Sequence, residues 1–149
     1  MSKEEAIKDK LISKFTHLDG KINIARQRRI FAAVDNANFL NVFLYLKGDL
    51  GFGHLCTITG LDEGENLSAI YHLANTEGIL VNLKTSVLKA NPVLKTVSNH
   101  FLGAQIYERE LIDLFGFKVE GLPEGNRYPL TDDWPKGEYP LRKDWKPVQ

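Results

Sequence analysis

Between Tyr107 and Gly121 the chain reads Y-E-R-E-L-I-D-L-F-G-F-K-V-E-G, and this stretch separates a periodic sequence from an aperiodic one. Tyr107, Leu111, Leu114 and Phe115 recur at i, i+4, i+7 and i+8, the spacing of an amphipathic helix. Gly116 follows the last of them, where a left-handed helix stop favours a residue without a Cβ. Glu108, Arg109, Glu110 and Asp113 place four charges within six positions of that helix. Upstream, the apolar residues keep a helix or strand period. Downstream of Gly121 they keep none, although both tryptophans and five of the six prolines lie there.

The length of 149 residues and the 43% apolar content suffice for one domain with its own core. Nineteen basic residues balance nineteen acidic ones, which argues against general affinity for nucleic acid, since that requires a basic excess. A chain without net charge also lacks long-range self-repulsion, as suits a member of a complex. Cys56 is the only cysteine, so the sequence predicts no disulfide and no Cys cluster for zinc or iron–sulfur. No apolar run approaches the ~18 residues of a membrane span, and the first residues do not read as a signal peptide. The expected setting is a reducing, soluble compartment.

The expected fold is α+β: a two-layer helix-on-sheet domain in the order α-β-β-α-β-β-β over residues 1–121, with an additional helix, followed by an extended Pro-rich C-terminal arm over 122–149. Ser2-Lys3-Glu4-Glu5 fits a capping box, and Ile7, Leu11, Phe15 and Leu18 mark one helical face ending at Asp19-Gly20. Lys21 to Val34 reads as two short strands around Arg26-Gln27-Arg28-Arg29. Asp35-Asn36 offers an N-cap to a helix carrying Phe39, Val42, Phe43 and Leu46. Residues 54–61, 67–74 and 79–85 alternate like strands of an antiparallel meander joined by polar, hairpin-length links. Pro92 suits a helix start over 92–100, and the central helix follows over 101–115.

The arm holds Tyr128, Leu130, Trp134, Tyr139, Leu141 and Trp145 without a pattern that would bury them internally. One aromatic side chain buries ~150–250 Å², or about 4–6 kcal/mol before ordering costs. Proline stiffens the free chain and lowers those costs. Such a segment is suited to lie along a partner.

The same residues admit enzymatic and nucleic-acid readings. Glu110 and Asp113 share a helix face and are the one converging carboxylate pair, as a hydrolase would need, while Glu108 lies off that face. Arg109 and Asp113 at i, i+4 can pair instead, and an ion-pair network outweighs catalysis. Arg26, Arg28 and Arg29 could contact RNA or an anion, against a solvated hairpin turn. His54 and Cys56 share a strand face but are too few for zinc, and core packing is the expectation there. Asp132-Asp133 reads as a turn before Trp134. The glycines from Gly48 to Gly53 do not follow a strand, so they are no dinucleotide fingerprint.

Two linked motifs carry a resemblance. Glu108-Arg109-Glu110-x-x-Asp113-x-Phe115-Gly116-Phe117-x-x-x-Gly121, followed by Trp134-x-x-Gly137-x-x-Pro140-Leu141-Arg142-Lys143-Asp144, resembles the signature of the C subunit of proton-pumping NADH:quinone oxidoreductase (respiratory complex I). The same family includes the corresponding subunit of energy-converting membrane-bound [NiFe] hydrogenases, which the Trp134 to Pro140 segment resembles more. The resemblance implies a peripheral subunit without its own cofactor, on the cytoplasmic side and membrane-associated through its partners alone. Those partners would be the large catalytic subunit, D-like or hydrogenase-type, and neighbouring iron–sulfur subunits. It implies an interface made by Glu108, Arg109, Glu110, Asp113, Gly116, Trp134, Leu141, Arg142, Lys143, Asp144 and Trp145. The last residues would lock the arm by charged hydrogen bonds. In an extended arm Leu141, Lys143 and Trp145 would face one way and Arg142 and Asp144 the other.

Overall fold

The computed structural model describes residues 1–147; Val148 and Gln149, the end of the expected arm, lie outside the described residues. The elements are α1 (Lys3–Lys14), a 3-10 turn (Thr16–Leu18), β1 (Ile22–Arg26), β2 (Arg29–Ala33), α2 (Asn36–Gly48), β3 (His54–Asp62), β4 (Asn66–Ala74), β5 (Leu80–Leu88), β6 (Val93–Lys95), α3 (Ala104–Phe115) and β7 (Lys118–Glu120). Strand order in the large sheet is β1-β2-β5-β4-β3, and β6 and β7 form a second, two-stranded sheet. The links from β3 to β4 and from β4 to β5 are too short for a crossover, so these neighbours run antiparallel as expected. The hairpin joins them through β2, which pairs with β5 in parallel: Ile30 opposite Val81, Ala32 opposite Leu83. The sheet is therefore mixed.

Two compact units divide the chain, Met1–Thr57 with Ile70–Thr85 and Ile58–Ala69 with everything from Ser86 onward. In the first unit, Leu11, Leu18, Phe39, Val42, Phe43, Leu46 and Tyr71 are buried. The Tyr71 ring lies 4.5 Å from that of Phe39 and 5.8 Å, edge-on, from that of Phe43. The capping box forms: the Ser2 hydroxyl accepts from Glu5 N at 3.1 Å and Ser2 N donates to Glu5 Oε2 at 2.7 Å. α1 stops at Lys14, before Asp19-Gly20, because the chain tightens into the 3-10 turn that still brings Leu18 inward. Asp35 occupies the N-cap of α2, but its side chain makes no cap bond and stands 3.9 Å from Lys21 Nζ. Glu4 faces inward and accepts the Arg28 amide at 2.7 Å. That bond steadies Arg28 in the left-handed region (φ 61°) and holds the Glu4 carboxyl below its usual range. His54, expected in a core, is exposed.

In the second unit the expected helix over 92–100 is absent. Residues Val93–Lys95 are a strand paired in parallel with Lys118–Glu120, and α3 makes the crossover between them. Pro92 precedes this strand, where its missing N–H costs no ladder bond, and its carbonyl accepts Lys118 N at 2.8 Å. α3 begins at Ala104 rather than near 101 and ends at Gly116 (φ 78°), the predicted left-handed stop. Ala104, Glu108, Leu111 and Phe115 lie along one buried stripe. That stripe approaches β3 at Gly60, where a Cβ would stand 2.5 Å from the Phe115 ring. Glycine in a strand interior here admits a flat aromatic contact.

Candidate docking surface

α3 presents its charges in different directions, so the hydrolase pair does not form. Glu108, expected off the working face, is 1% exposed. Its Oε2 accepts the Thr96 hydroxyl at 2.6 Å and its Oε1 accepts Val97 N at 2.7 Å. Burial pushes its carboxyl upward, and these two bonds only partly oppose that. Glu110 is half-buried, with no hydrogen bond or ion pair among the described residues. Asp113 is 6% exposed and takes Arg127 Nε on one oxygen at 2.9 Å and Leu130 N on the other at 2.9 Å. Arg109 does not pair with Asp113. Its Nη2 donates to Pro123 O at 3.0 Å, and the guanidinium lies so close to Gly125 that a Cβ there would meet it at 2.6 Å. Among the described residues no group of three or more His, Cys, Asp or Glu side chains could hold a metal.

The same helix therefore organises the segment after Gly121. Arg109 and Asp113 fix residues 123–130. Arg127 Nη1 then reaches Trp134 O at 2.7 Å. The Trp134 and Trp145 rings sit 6.0 Å apart, and Glu138 accepts both indole N–H groups, one on its main-chain oxygen and one on its carboxylate, each at 2.7 Å. The end of α3 is capped from this segment. Leu141 N donates to Leu114 O at 3.0 Å and Arg142 Nε to Phe115 O at 2.6 Å, satisfying carbonyls that a helix leaves orphaned. A cation at a helix C-terminus also meets the favourable end of its dipole. The Tyr139 ring covers Gly116, where a Cβ would stand 2.5 Å from it. The Arg142 guanidinium in turn stacks 4.7 Å from the Tyr139 centroid.

Strict alternation over 141–145 is not kept. Arg142 N bonds Tyr139 O and Trp145 N bonds Arg142 O, so the chain turns twice. Lys143 and Asp144 are exposed, Trp145 is half-buried, and Leu141 remains 52% exposed.

Asp62, which the sequence places in a solvated hairpin link, is the buried last residue of β3 and anchors this region. It accepts Lys89 Nζ at 2.8 Å, Lys143 N at 2.8 Å and Gly64 N at 2.9 Å. Burial works against its charge, but these donors outweigh burial and hold the carboxyl down at about 2. Asp144 stands 3.8 Å from Lys89 at the same point. Only the Gly64 amide is a local partner of Asp62; the two that make it an anchor lie 27 and 81 residues away, where nothing nearby in the sequence points to them.

Arg26 and Arg28 are exposed, and Arg29 Nη1 is turned back to Arg28 O at 2.8 Å. Neither the RNA reading nor the hydrolase reading gains support. No described helix is long and apolar enough to cross a membrane.

The chain has relatives among known proteins. The profile of a family described as the 30 Kd subunit of respiratory-chain NADH dehydrogenase matches residues 32–149, which includes α3 and the whole C-terminal segment. The C subunit of the F(420)H(2) dehydrogenase of Methanosarcina mazei is 35% identical over 141 residues, covering 93% of this chain and 89% of that protein. The beta subunit of the membrane-bound hydrogenase of Pyrococcus furiosus is 27% identical, covering 99% and 89%. The C/D subunit of an NADH-quinone oxidoreductase of Phocaeicola vulgatus is 41% identical over 95 residues, or 61% of this chain and 18% of that longer protein. Among solved structures, a chain of the membrane-bound sulfane sulfur reductase, an archaeal respiratory membrane complex, superposes with a TM-score of 0.82. That chain is 27% identical, with 97% of this chain and 86% of its own length covered.

Proposed function

The chain belongs to the family of the respiratory-chain NADH dehydrogenase 30 Kd subunit, and from that premise we propose that it docks by its C-terminal segment on the large catalytic subunit of its complex. It is homologous to the C subunit of complex I and to a membrane-bound hydrogenase subunit. Its part is non-catalytic: it supports assembly and electron transfer by holding neighbouring subunits in place. The observation that carries the choice of neighbour is the relative whose name joins the letters C and D. This chain spans 18% of that protein, which leaves room for a second subunit in one polypeptide. Two proteins made as one chain in a relative are expected to lie side by side when made separately.

In this reading the segment from residue 122 onward is the docking arm, and α3 is the frame on which it is assembled. The interface draws on Glu108, Arg109, Glu110, Asp113 and Gly116 as framework, and on Trp134, Leu141, Arg142, Lys143, Asp144 and Trp145 as contact. Iron–sulfur subunits flank the same assembly, on the cytoplasmic side of the membrane, and association with the membrane runs through partners.

Native purification through a tag at Met1, which is 92% exposed, tests this. The expected result is recovery of a large subunit together with iron–sulfur proteins after mild detergent extraction. Recovery of the chain alone from membranes and cytosol alike would refute the docking role.

A further inference from the structure

Within the second unit the proposed arm leaves two adjoining recesses open, and their chemistry differs. The Arg142 guanidinium is held at Nε by the Phe115 carbonyl and on one face by the Tyr139 ring. Its terminal nitrogens have no hydrogen-bond partner among the described residues. Arg142 lines a recess of about 340 Å³ together with Asp144 and Lys146. Beside it, Trp134, Pro135, Trp145 and Pro147 line a second recess of about 280 Å³. Glu138 borders both. Because it accepts the N–H of each indole, neither tryptophan has a donor left, and the second recess offers ring faces and proline edges.

Resting on the docking reading above, we propose that these recesses form a two-point receptor for the large subunit. Arg142 takes an acidic side chain of that subunit, and the Trp134–Trp145 pair takes an apolar side chain beside it. Charge complementarity names the first occupant. With Nε committed, the two terminal nitrogens still form an end-on fork that matches the two oxygens of a carboxylate. Lys146 adds a second positive charge. Neither carboxylate already in the recess pairs with Arg142: Glu138 Oε2 accepts the Trp145 N–H, and Asp144 stands 3.8 Å from Lys89. The second occupant follows from the absence of donors in the indole recess. Both arms of the receptor are ordered by the chain's own bonds, so the rotamer entropy that binding usually costs is spent during folding.

The test uses the full chain co-expressed with the large subunit of its complex. Arg142→Lys places an amine at the fork, and a carbodiimide joins an amine to a carboxylate only where the two are in contact. The expected product is a link from position 142 to an Asp or Glu of the large subunit, absent from the unsubstituted complex. Arg142→Gln keeps a donor for the Phe115 carbonyl but lacks charge, and is expected to lower affinity at least tenfold. Its amide exchange at Leu141 should stay slow, showing that the arm is still seated. Links from position 142 only to Glu138 or Asp144 of the same chain, or only to a second copy, would overturn the proposal. So would unchanged affinity of Arg142→Gln. If the unsubstituted chain itself recovers no large subunit, the docking reading falls and takes the receptor with it. Normal recovery combined with indifference to Arg142 removes the receptor alone.

Discussion

Glu108 and Asp62 are buried carboxylates whose surroundings act in opposite senses. Around Glu108, burial dominates and the carboxyl is pushed up. A carboxyl raised in the folded state adds stability that is full below its unfolded value and is lost as pH rises through the folded one. Around Asp62 the donors dominate, so its contribution is present above the ordinary 3.8 and is lost as pH falls toward about 2. Glu108→Gln should therefore flatten the loss of melting temperature on the rising side of the carboxylate range. Asp62→Asn should flatten the loss on the acid side. Melting curves from pH 2 to 8 would check both, and a change in the wrong window would contradict the assignment. Glu108→Ala strands the Val97 amide and opens a cavity, and is expected to cost about 2–4 kcal/mol by chemical denaturation.

At the scale of elements, α3 makes a close aromatic contact at each of two glycines: its own Phe115 ring lies on Gly60 of β3, and the Tyr139 ring lies on Gly116 at its C-terminus. Gly60→Ala drives a methyl into the Phe115 ring, an overpacking expected to cost ~1–3 kcal/mol. Pairing it with Phe115→Leu should recover part of that cost, so the double variant is more stable than the sum of the singles. Gly116→Ala meets both a left-handed backbone, ~1–2 kcal/mol, and the Tyr139 ring. It should loosen the Arg142 cap as well, visible as faster amide exchange at Leu141. Unchanged exchange there would mean that the ring does not hold the segment.

The elements that were legible in the sequence are those whose signals are local. The Ser2/Glu5 box, the hairpin turn within Arg26 to Arg29, the three long strands and the Gly116 stop each follow from residues a few positions apart. β6 and β7 were not legible, since three-residue strands carry no period and Pro92 serves a helix start and a strand start equally well. The parallel pairing of β2 with β5 depends on partners about 50 residues apart. The candidate site divides the same way. The motif residues were visible as a cluster, but their partners were not. Asp113 answers Arg127 rather than Arg109, and Glu108 is engaged by Thr96 and Val97, which the sequence assigns to a helix.

For the whole molecule, the docking reading makes the C-terminal segment an assembled surface that meets its partner already shaped. An unstructured tail would order only on binding and would show no amide protection in the free chain. Here the free chain should already protect the amides of Leu130, Leu141 and Lys143, whose acceptors are Asp113, the Leu114 carbonyl and Asp62. Arg142→Ala should consequently lower the melting temperature of the isolated chain as well as its assembly. The most direct measurement is hydrogen exchange of the chain alone and within its purified complex, compared residue by residue. The predicted result is added protection concentrated between residues 122 and 147 on assembly, centred on Trp134 to Trp145. Added protection confined to α1, α2 and the β1–β2 hairpin, with residues 122–147 unchanged, would contradict it.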